Sequence, residues 1–158
     1  MDDALYRLNV GIVLKNAQGK IFVGQRIDAA LEGNIAWQMP QGGIDEGETL
    51  EEAVMRELLE EIGTDKVRIV RVTKEWLYYD LPEDLQALQV KNWGRIYKGQ
   101  KQRWFLMDFL GEDSDINLNT AHPEFLSSAW ITPREALACA APFKHAIYQK
   151  VFREFGFF

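Results

Sequence analysis

The segment from Gly42 to Thr64 constrains the fold of this chain more than any other stretch. Residues 44 to 61 contain eight acidic residues and one basic residue, Arg56, which gives a net charge of −7. The whole protein carries −6, so the rest of the chain is close to neutral. The acidity is therefore concentrated in one place instead of being spread over the surface.

A helix is predicted inside this segment. Thr49 can cap its start, with Glu51 and Glu52 in the first turn, and Gly63 can end it. The residues between them are good helix formers. Five apolar side chains fall on one arc, which we expect to face a core: Leu50, Val54, Leu58, Leu59 and Ile62.

Three glutamates, Glu57, Glu60 and Glu61, fall within an arc of roughly 100° on the neighbouring side of the helix. Ala53 lies under this acidic arc, where its small side chain leaves room for something to approach. Like charges at this spacing repel each other, and a divalent cation with oxygen ligands would turn that cost into binding energy. The spacing alone is also typical of a solvated acidic face.

A longer pattern distinguishes these two interpretations. Gly42 is followed after five residues by Glu48 and after seven more by the run from Arg56 to Gly63. This pattern resembles the Nudix box, with Thr64 in place of the final aliphatic residue. The resemblance implies an α/β (α+β) Nudix fold, a mixed β-sheet sandwiched between α-helices. It also implies hydrolysis of a nucleoside diphosphate linked to another group.

The resemblance further implies a catalytic set and a Mg²⁺ or Mn²⁺ site. We expect Arg56 to pair with Glu48 or a neighbour and to fix the preceding loop against the helix. Glu124, in His122-Pro123-Glu124-Phe125, is the best candidate for a ligand from outside the box; alone, it is equally typical of an exposed loop acid. The predicted catalytic residues are Arg56, Glu57, Glu60 and Glu61, and the predicted metal-site residues are Gly42, Glu57, Glu60, Glu61 and Glu124.

Composition sets the outer limits. A length of 158 residues fits a single domain covering 1–158, and 47 % apolar residues suffice for an ordinary core. No apolar run approaches 18 residues, and Met1-Asp2-Asp3 lacks the features of a secretory signal, so no membrane association is expected. The single cysteine, Cys139, cannot form an internal disulfide, which favours the cytoplasm. A net charge of −6 argues against DNA binding.

The remaining chain predicts alternating strands and helices. Strands are expected at Leu8–Leu14 and Ile21–Arg26 as a hairpin, with short extended stretches at Trp37–Gln41 and Ala129–Ile131. Longer strands are expected at Val67–Tyr79 and Gln102–Leu110. Pro133 can open a helix that leads to Ala138, and Phe143–Phe155 reads as an amphipathic helix. Residues 28–35, 84–99 and 111–123 read as loops.

Further motifs resemble the bacterial RNA pyrophosphohydrolase subgroup, which includes asymmetric diadenosine tetraphosphate hydrolases. They are Tyr6–Ile12, Trp37–Gly43, Gly99–Phe105 and Pro123–Phe125. The resemblance implies that Arg7, Arg26, Tyr79 and Lys144 grip the 5′ phosphates or first bases of RNA. Lys101 and Arg103 are added as candidate phosphate ligands because they lie near a predicted strand end. Tyr79 could also stack a base.

Several functions remain open at this point. The first is removal of pyrophosphate from 5′-triphosphorylated RNA, and the second is asymmetric cleavage of dinucleoside polyphosphates to ATP and a mononucleotide. A third is a nucleotide-sensing module without turnover, which the complete glutamate set disfavours. Cleansing of oxidised dGTP is disfavoured by the motifs that flank the box. We expect RNA to be the main substrate, because the basic stretch from Lys91 to Arg103 contains no acid.

Overall fold

The structure is a computed structural model that describes residues 5–27, 37–83, 97–121 and 123–158. The expected loop at 28–35, most of the one at 84–99, Lys91 and Arg95 lie outside the described residues. In the part of the chain that is described, no helix is long and apolar enough to span a membrane.

Two long parallel strands form the centre of the sheet. Strand β1 (Tyr6–Lys15) runs beside β7 (Gly99–Phe109), in register from Tyr6 opposite Gly99 to Lys15 opposite Asp108. The predicted strands in both regions are confirmed, with longer bounds. The path through the sheet runs from β3 (Trp37–Gln38) through β2 (Ile21–Arg26), β1 and β7 to β5 (Val67–Val72), and three further strands pair off this path.

The other strands pair antiparallel, so the sheet is mixed as predicted. Strand β2 (Ile21–Arg26) forms the expected hairpin with β1. The stretch after it divides into β3 (Trp37–Gln38), on β2, and β4 (Gln41–Gly43), on β1. Strand β8 (Phe125–Ile131) pairs with β2 and begins four residues earlier than predicted.

The prediction of one long strand over Val67–Tyr79 is wrong. The chain forms β5 (Val67–Val72) and β6 (Leu77–Asp80), and both pair with β7. The break begins at Thr73, whose hydroxyl oxygen accepts a hydrogen bond from the Trp104 backbone N–H at 3.0 Å. A side chain thus takes the place of a backbone acceptor, and the regular ladder ends there.

Helix α1 (Leu50–Ile62) has the predicted ends. Thr49 and Glu52 form a reciprocal capping box, and Gly63 ends the helix in the left-handed conformation at φ 79°. Two details of its apolar face were predicted wrongly. Leu59 is 46 % exposed, and Ala53 is fully buried in the core instead of lying under an open acidic surface.

Further helical segments are two short 3₁₀ turns, Asp113–Asp115 and Pro142–Lys144, and the helices α2 (Pro133–Ala138) and α3 (His145–Glu154). The predicted last helix therefore starts as a 3₁₀ turn and ends one residue early. Core side chains of α1 pack on one side of the sheet, and those of α2 and α3 pack on the other. The sandwich of a mixed sheet between helices is confirmed.

Candidate active site

Arg56 ties the loop before α1 to the helix. Its Nε and Nη2 donate to the two carboxylate oxygens of Glu48 at 2.7 and 2.9 Å, and Nη2 also donates to the Gly43 carbonyl at 2.9 Å. These bonds hold the pKa of Glu48 at about 2. The predicted pairing is confirmed, and its forked geometry is one that lysine could not reproduce.

The same guanidinium also reaches two glutamates on the acidic arc. Nη1 donates to Glu57 at 2.9 Å and to Glu60 at 3.3 Å. Arg56 therefore holds the carboxylates of Glu57 and Glu60 in place relative to the Gly43 carbonyl. We interpret it as a positioning residue, whose charge also offsets part of the repulsion between the acids.

Glu57 is packed against the backbone of β4. It is 7 % exposed, and a Cβ added at Gly42 would overlap its carboxylate. Burial raises the pKa of Glu57 to about 7, while the bond from Arg56 acts in the opposite direction. The absence of a side chain at Gly42 thus creates the space that the carboxylate fills.

Glu61 is the least satisfied group of the site. It is 1 % exposed, and neither carboxylate oxygen has a hydrogen-bond partner among the described residues. Burial raises its pKa well above the ordinary value, and the charges of Glu124 and Glu57 raise it further. A buried, unpaired carboxylate is costly, so these oxygens fit a ligand that carries positive charge.

Hard oxygen donors of this kind suit Mg²⁺ or Mn²⁺. In the metal-free geometry, no three His, Cys, Asp or Glu side chains of the described residues are arranged to hold an ion. The Glu60 carboxylate lies 3.3 Å from the Arg56 guanidinium, whereas the side chains of Glu57 and Glu61 are buried. The orphaned oxygens of Glu61 and the buried carboxylate of Glu57 against Gly42 are the observations that fit a cation.

Glu124 joins these acids from the start of β8. Its backbone carbonyl accepts from Ile27 N–H at 3.0 Å, and its carboxylate lies 3.3 Å from the Arg26 guanidinium. Its charge raises the pKa of both Glu57 and Glu61. Glu124 therefore lies within electrostatic reach of the helix acids.

Replacing Glu124 by alanine is expected to lower kcat at least about tenfold while leaving stability nearly unchanged. The side chain is about one-third exposed, at 38 %, so its loss should alter unfolding by less than about 0.5 kcal/mol. Steady-state kinetics and urea unfolding would measure the two effects. Glu75→Ala, which removes an exposed acid from another loop, serves as the control. Full activity with unchanged metal affinity would make Glu124 a surface acid.

Three predicted cations accompany the acids. Arg26 contacts Glu124, and Lys144 is buried with its charge acting on Glu61. The guanidinium of Arg7 fills the space beside Gly43, where an added Cβ would overlap it. Burial lowers the pKa of Arg7, and the negative charge of Glu57 opposes that shift. Positive and negative side chains thus meet at one place, as a bound polyphosphate and its metal would require.

Tyr79 lies near this group but cannot serve as a stacking platform in this structure. It is 8 % exposed, its ring packs on Phe143, and its hydroxyl donates to Gln100 at 2.8 Å. Burial raises its pKa to about 12. The expectation that its ring stacks a base is therefore wrong here, because the core already covers the ring.

The side-chain amides of Asn9, Gln41, Gln100 and Gln102 form a hydrogen-bonded cluster that contacts β4. The sequence analysis did not predict this cluster. Gln102 Nε2 donates to Asn9 at 2.7 Å and to Gln41 at 3.2 Å, and Gln41 Nε2 lies 3.4 Å from both Tyr79 and Gln100. The cluster fixes Gln41, the residue before Gly42. Amides at alternate positions of a strand, 100 and 102, were the available signal.

Lys101 and Arg103 are not brought together with these residues. Neighbours along a strand point to opposite faces, so both lie on the face of β7 opposite Gln100 and Gln102. Lys101 Nζ and Arg103 Cζ lie 5.3 and 5.8 Å from the centre of the Trp76 ring, and Arg103 donates to Thr73 O at 2.8 Å. Their assignment as substrate-binding residues therefore stays a prediction.

Comparison with known proteins agrees with this geometry. The NUDIX domain model matches residues 5–155. A protein of Wolbachia pipientis subsp. Culex pipiens named RNA pyrophosphohydrolase is 53 % identical over 96 % of this chain and 90 % of its own. Proteins of the same name from Rickettsia canadensis and Sphingopyxis alaskensis are 50 % and 48 % identical, over 97 % and 98 % of this chain and 91 % and 96 % of theirs.

Solved structures agree at the level of the fold. The dihydroneopterin triphosphate pyrophosphohydrolase of E. coli matches with a TM-score of 0.69 at 17 % identity, covering 94 % of this chain and 98 % of that one. An Ap4A hydrolase of C. elegans matches with a TM-score of 0.65 at 19 % identity, covering 96 % and 99 %. With a family model that spans nearly the whole sequence, this chain belongs to the Nudix family.

Proposed function

We propose that this enzyme hydrolyses a phosphoanhydride bond of a nucleoside polyphosphate, and that its main reaction removes pyrophosphate from 5′-triphosphorylated RNA. The observation that carries the proposal is the buried, unpaired carboxylate of Glu61 among acids and cations. Relatives named RNA pyrophosphohydrolase, about half identical over nearly the whole chain, support the choice of RNA. We place the reaction in the cytoplasm, on the sequence expectations alone.

Glu57, Glu60, Glu61 and Glu124 would hold Mg²⁺ or Mn²⁺, with Gly42 leaving room beside Glu57. Such an ion, when bound, polarises phosphoryl oxygens and lowers the pKa of a bound water. The buried position of Glu57 and Glu61 supports this assignment, because a cation would remove the cost of burying their charge. Glu60 would have to exchange its contact with Arg56 for the ion.

Arg7, Arg26 and Lys144 would hold the phosphate oxygens and align the chain for attack. A water oxygen attacks the α-phosphorus, the one nearest the nucleoside. The bond from this phosphorus to the α–β bridging oxygen breaks, and pyrophosphate leaves with the electron pair of that bond. A site carboxylate accepts the proton that the water loses. The products are pyrophosphate and RNA with a 5′-monophosphate.

Asymmetric hydrolysis of dinucleoside polyphosphates is the second candidate. The burial of the Tyr79 ring against Phe143 supports it, since the ring then offers no stacking surface for a further nucleotide. The two substrates share the polyphosphate, and hence the same acids and cations. They differ in whether the enzyme must also hold further nucleotides.

A direct competition tests the choice of substrate. Equimolar 5′-triphosphorylated oligonucleotide and diadenosine tetraphosphate are mixed with enzyme and Mg²⁺ at physiological salt, and the products are identified by mass spectrometry. We expect both to be cut, with pyrophosphate and 5′-monophosphate RNA formed at least as fast as ATP and AMP. If only the dinucleotide is cut, the RNA assignment is wrong. If neither substrate is cut, the result supports the alternative that the protein is a nucleotide-sensing module without turnover.

A further inference from the structure

Gln38 has an unsatisfied donor inside the candidate site. It lies in β3 and is 8 % exposed, between Trp37 and Met39, which pack in the core. Its Oε1 accepts a hydrogen bond from Lys144 Nζ at 2.9 Å, and its Nε2 is buried with no hydrogen-bond partner in the part of the chain that the structure describes. An amide donor left in this state costs free energy unless a ligand satisfies it.

The contact with Lys144 determines which end of the amide is unsatisfied. An ammonium group can only donate, so it must face the oxygen of the amide. Turning the amide over would place two donors against each other. The orphaned atom is therefore the Nε2 donor, and it needs an acceptor.

The surroundings show what kind of acceptor fits. Gln38 pairs with Gly24 of β2, two residues from Arg26, and its amide holds Lys144, so it lies among the cations predicted to bind phosphate. Nε2 does not use the Glu61 oxygens, because those atoms also lack a hydrogen-bond partner. A donor next to a buried ammonium suits an anionic oxygen, and hydrogen bonds to charged acceptors are the strong ones.

We propose that Gln38 is a substrate-binding residue: its Nε2 donates to a phosphate oxygen of the polyphosphate, while its Oε1 holds Lys144 in place. This inference rests on the proposed function, because the acceptor is the substrate itself. The proposal gives a role to both ends of the Gln38 amide, the Nε2 donor and the Oε1 acceptor. A purely structural role would need only the Oε1 end.

Side-chain amide NMR tests the donor directly. The probe is a 5′-triphosphorylated dinucleotide with a methylene group in place of the α–β bridging oxygen, added with Mg²⁺ to ¹⁵N-labelled protein. The Gln38 amide signal is assigned from its absence in Gln38→Met, or in Gln38→Glu if the first variant fails to fold. We expect one Nε2 proton to shift downfield and exchange more slowly when the probe binds. The signal of Gln18, exposed in a turn, should not move.

Kinetics of the same variants provide the second measurement. Gln38→Met should raise KM about tenfold or more with a smaller change in kcat, as expected for the loss of one bond to a charged group. Gln38→Glu keeps an acceptor for Lys144 but not the donor, so it should not restore KM. Gln18→Met is the matched control.

The outcomes separate the two proposals. If wild-type enzyme turns over and binds the probe while the Gln38 signal stays still, or Gln38→Met keeps its KM within about twofold, this inference is wrong and the proposed function stands. The same holds if Gln38→Glu restores a wild-type KM. If the wild-type protein neither binds the probe nor hydrolyses either substrate, the proposed function fails and this inference fails with it.

Discussion

Changing Glu61 to glutamine is expected to lower kcat about a thousandfold, the equivalent of about 4 kcal/mol of transition-state stabilisation. Glutamine has nearly the same shape but carries no charge for a divalent cation. The side chain is buried, so the substitution changes the site and not the surface. Steady-state kinetics over a range of Mg²⁺ concentrations would measure the loss.

The same substitution should stabilise the metal-free protein. Burial raises the pKa of Glu61 in the folded state, so the folded protein binds its proton more tightly than the unfolded chain does. Stability is therefore lost as the pH rises from the unfolded value of about 4.3 through the folded pKa. Glutamine removes this loss, and the melting temperature of the EDTA-treated variant should exceed that of wild type by several degrees at pH 8, with a smaller gain at pH 5.

Glu51→Gln is the matched control, because Glu51 is an exposed acid on the same helix. It should leave kcat, the requirement for Mg²⁺ and the pH dependence of melting unchanged. Near wild-type activity of Glu61→Gln would overturn its assignment to the metal. A loss of activity together with a fall in melting temperature would point to a structural role instead.

The sequence predicted those parts of the site that depend on local rules. Helix periodicity placed Glu57, Glu60 and Glu61 on one side of α1, and capping chemistry located both ends of the helix. Arg56 is the single base among the eight acids of residues 44 to 61, so its pairing with Glu48 or a neighbouring acid could be predicted. These contacts form within about 20 residues, so little else in the fold can alter them.

Other features depend on tertiary contacts that periodicity does not encode. Thr73 ends β5 because it bonds to Trp104, which is 31 residues away along the chain. The ring of Tyr79 is covered by Phe143, and Lys101 lies over Trp76. The burial of Glu61 also depends on tertiary contacts, so helix periodicity could not predict it.

Two adjacent glycines allow metal binding and phosphate binding to be tested apart. An added Cβ at Gly42 would overlap the Glu57 carboxylate, whereas one at Gly43 would overlap the Arg7 guanidinium. Neither glycine has a positive φ, so the backbone of β4 can accept alanine at both positions. The two substitutions both lie in β4, but they displace different side chains: Gly42→Ala displaces Glu57, and Gly43→Ala displaces Arg7.

Gly42→Ala is expected to lower kcat about a hundredfold and to raise the Mg²⁺ concentration needed for half-maximal rate, because Glu57 must leave its position. Gly43→Ala is expected to raise KM about tenfold, through the flexible end of Arg7, without changing the Mg²⁺ requirement. Kinetics with Mg²⁺ and substrate varied independently would separate the two effects, and circular dichroism would check the fold of each variant. An unchanged Mg²⁺ requirement in Gly42→Ala would contradict the assignment of Glu57, and an unchanged KM in Gly43→Ala would contradict that of Arg7.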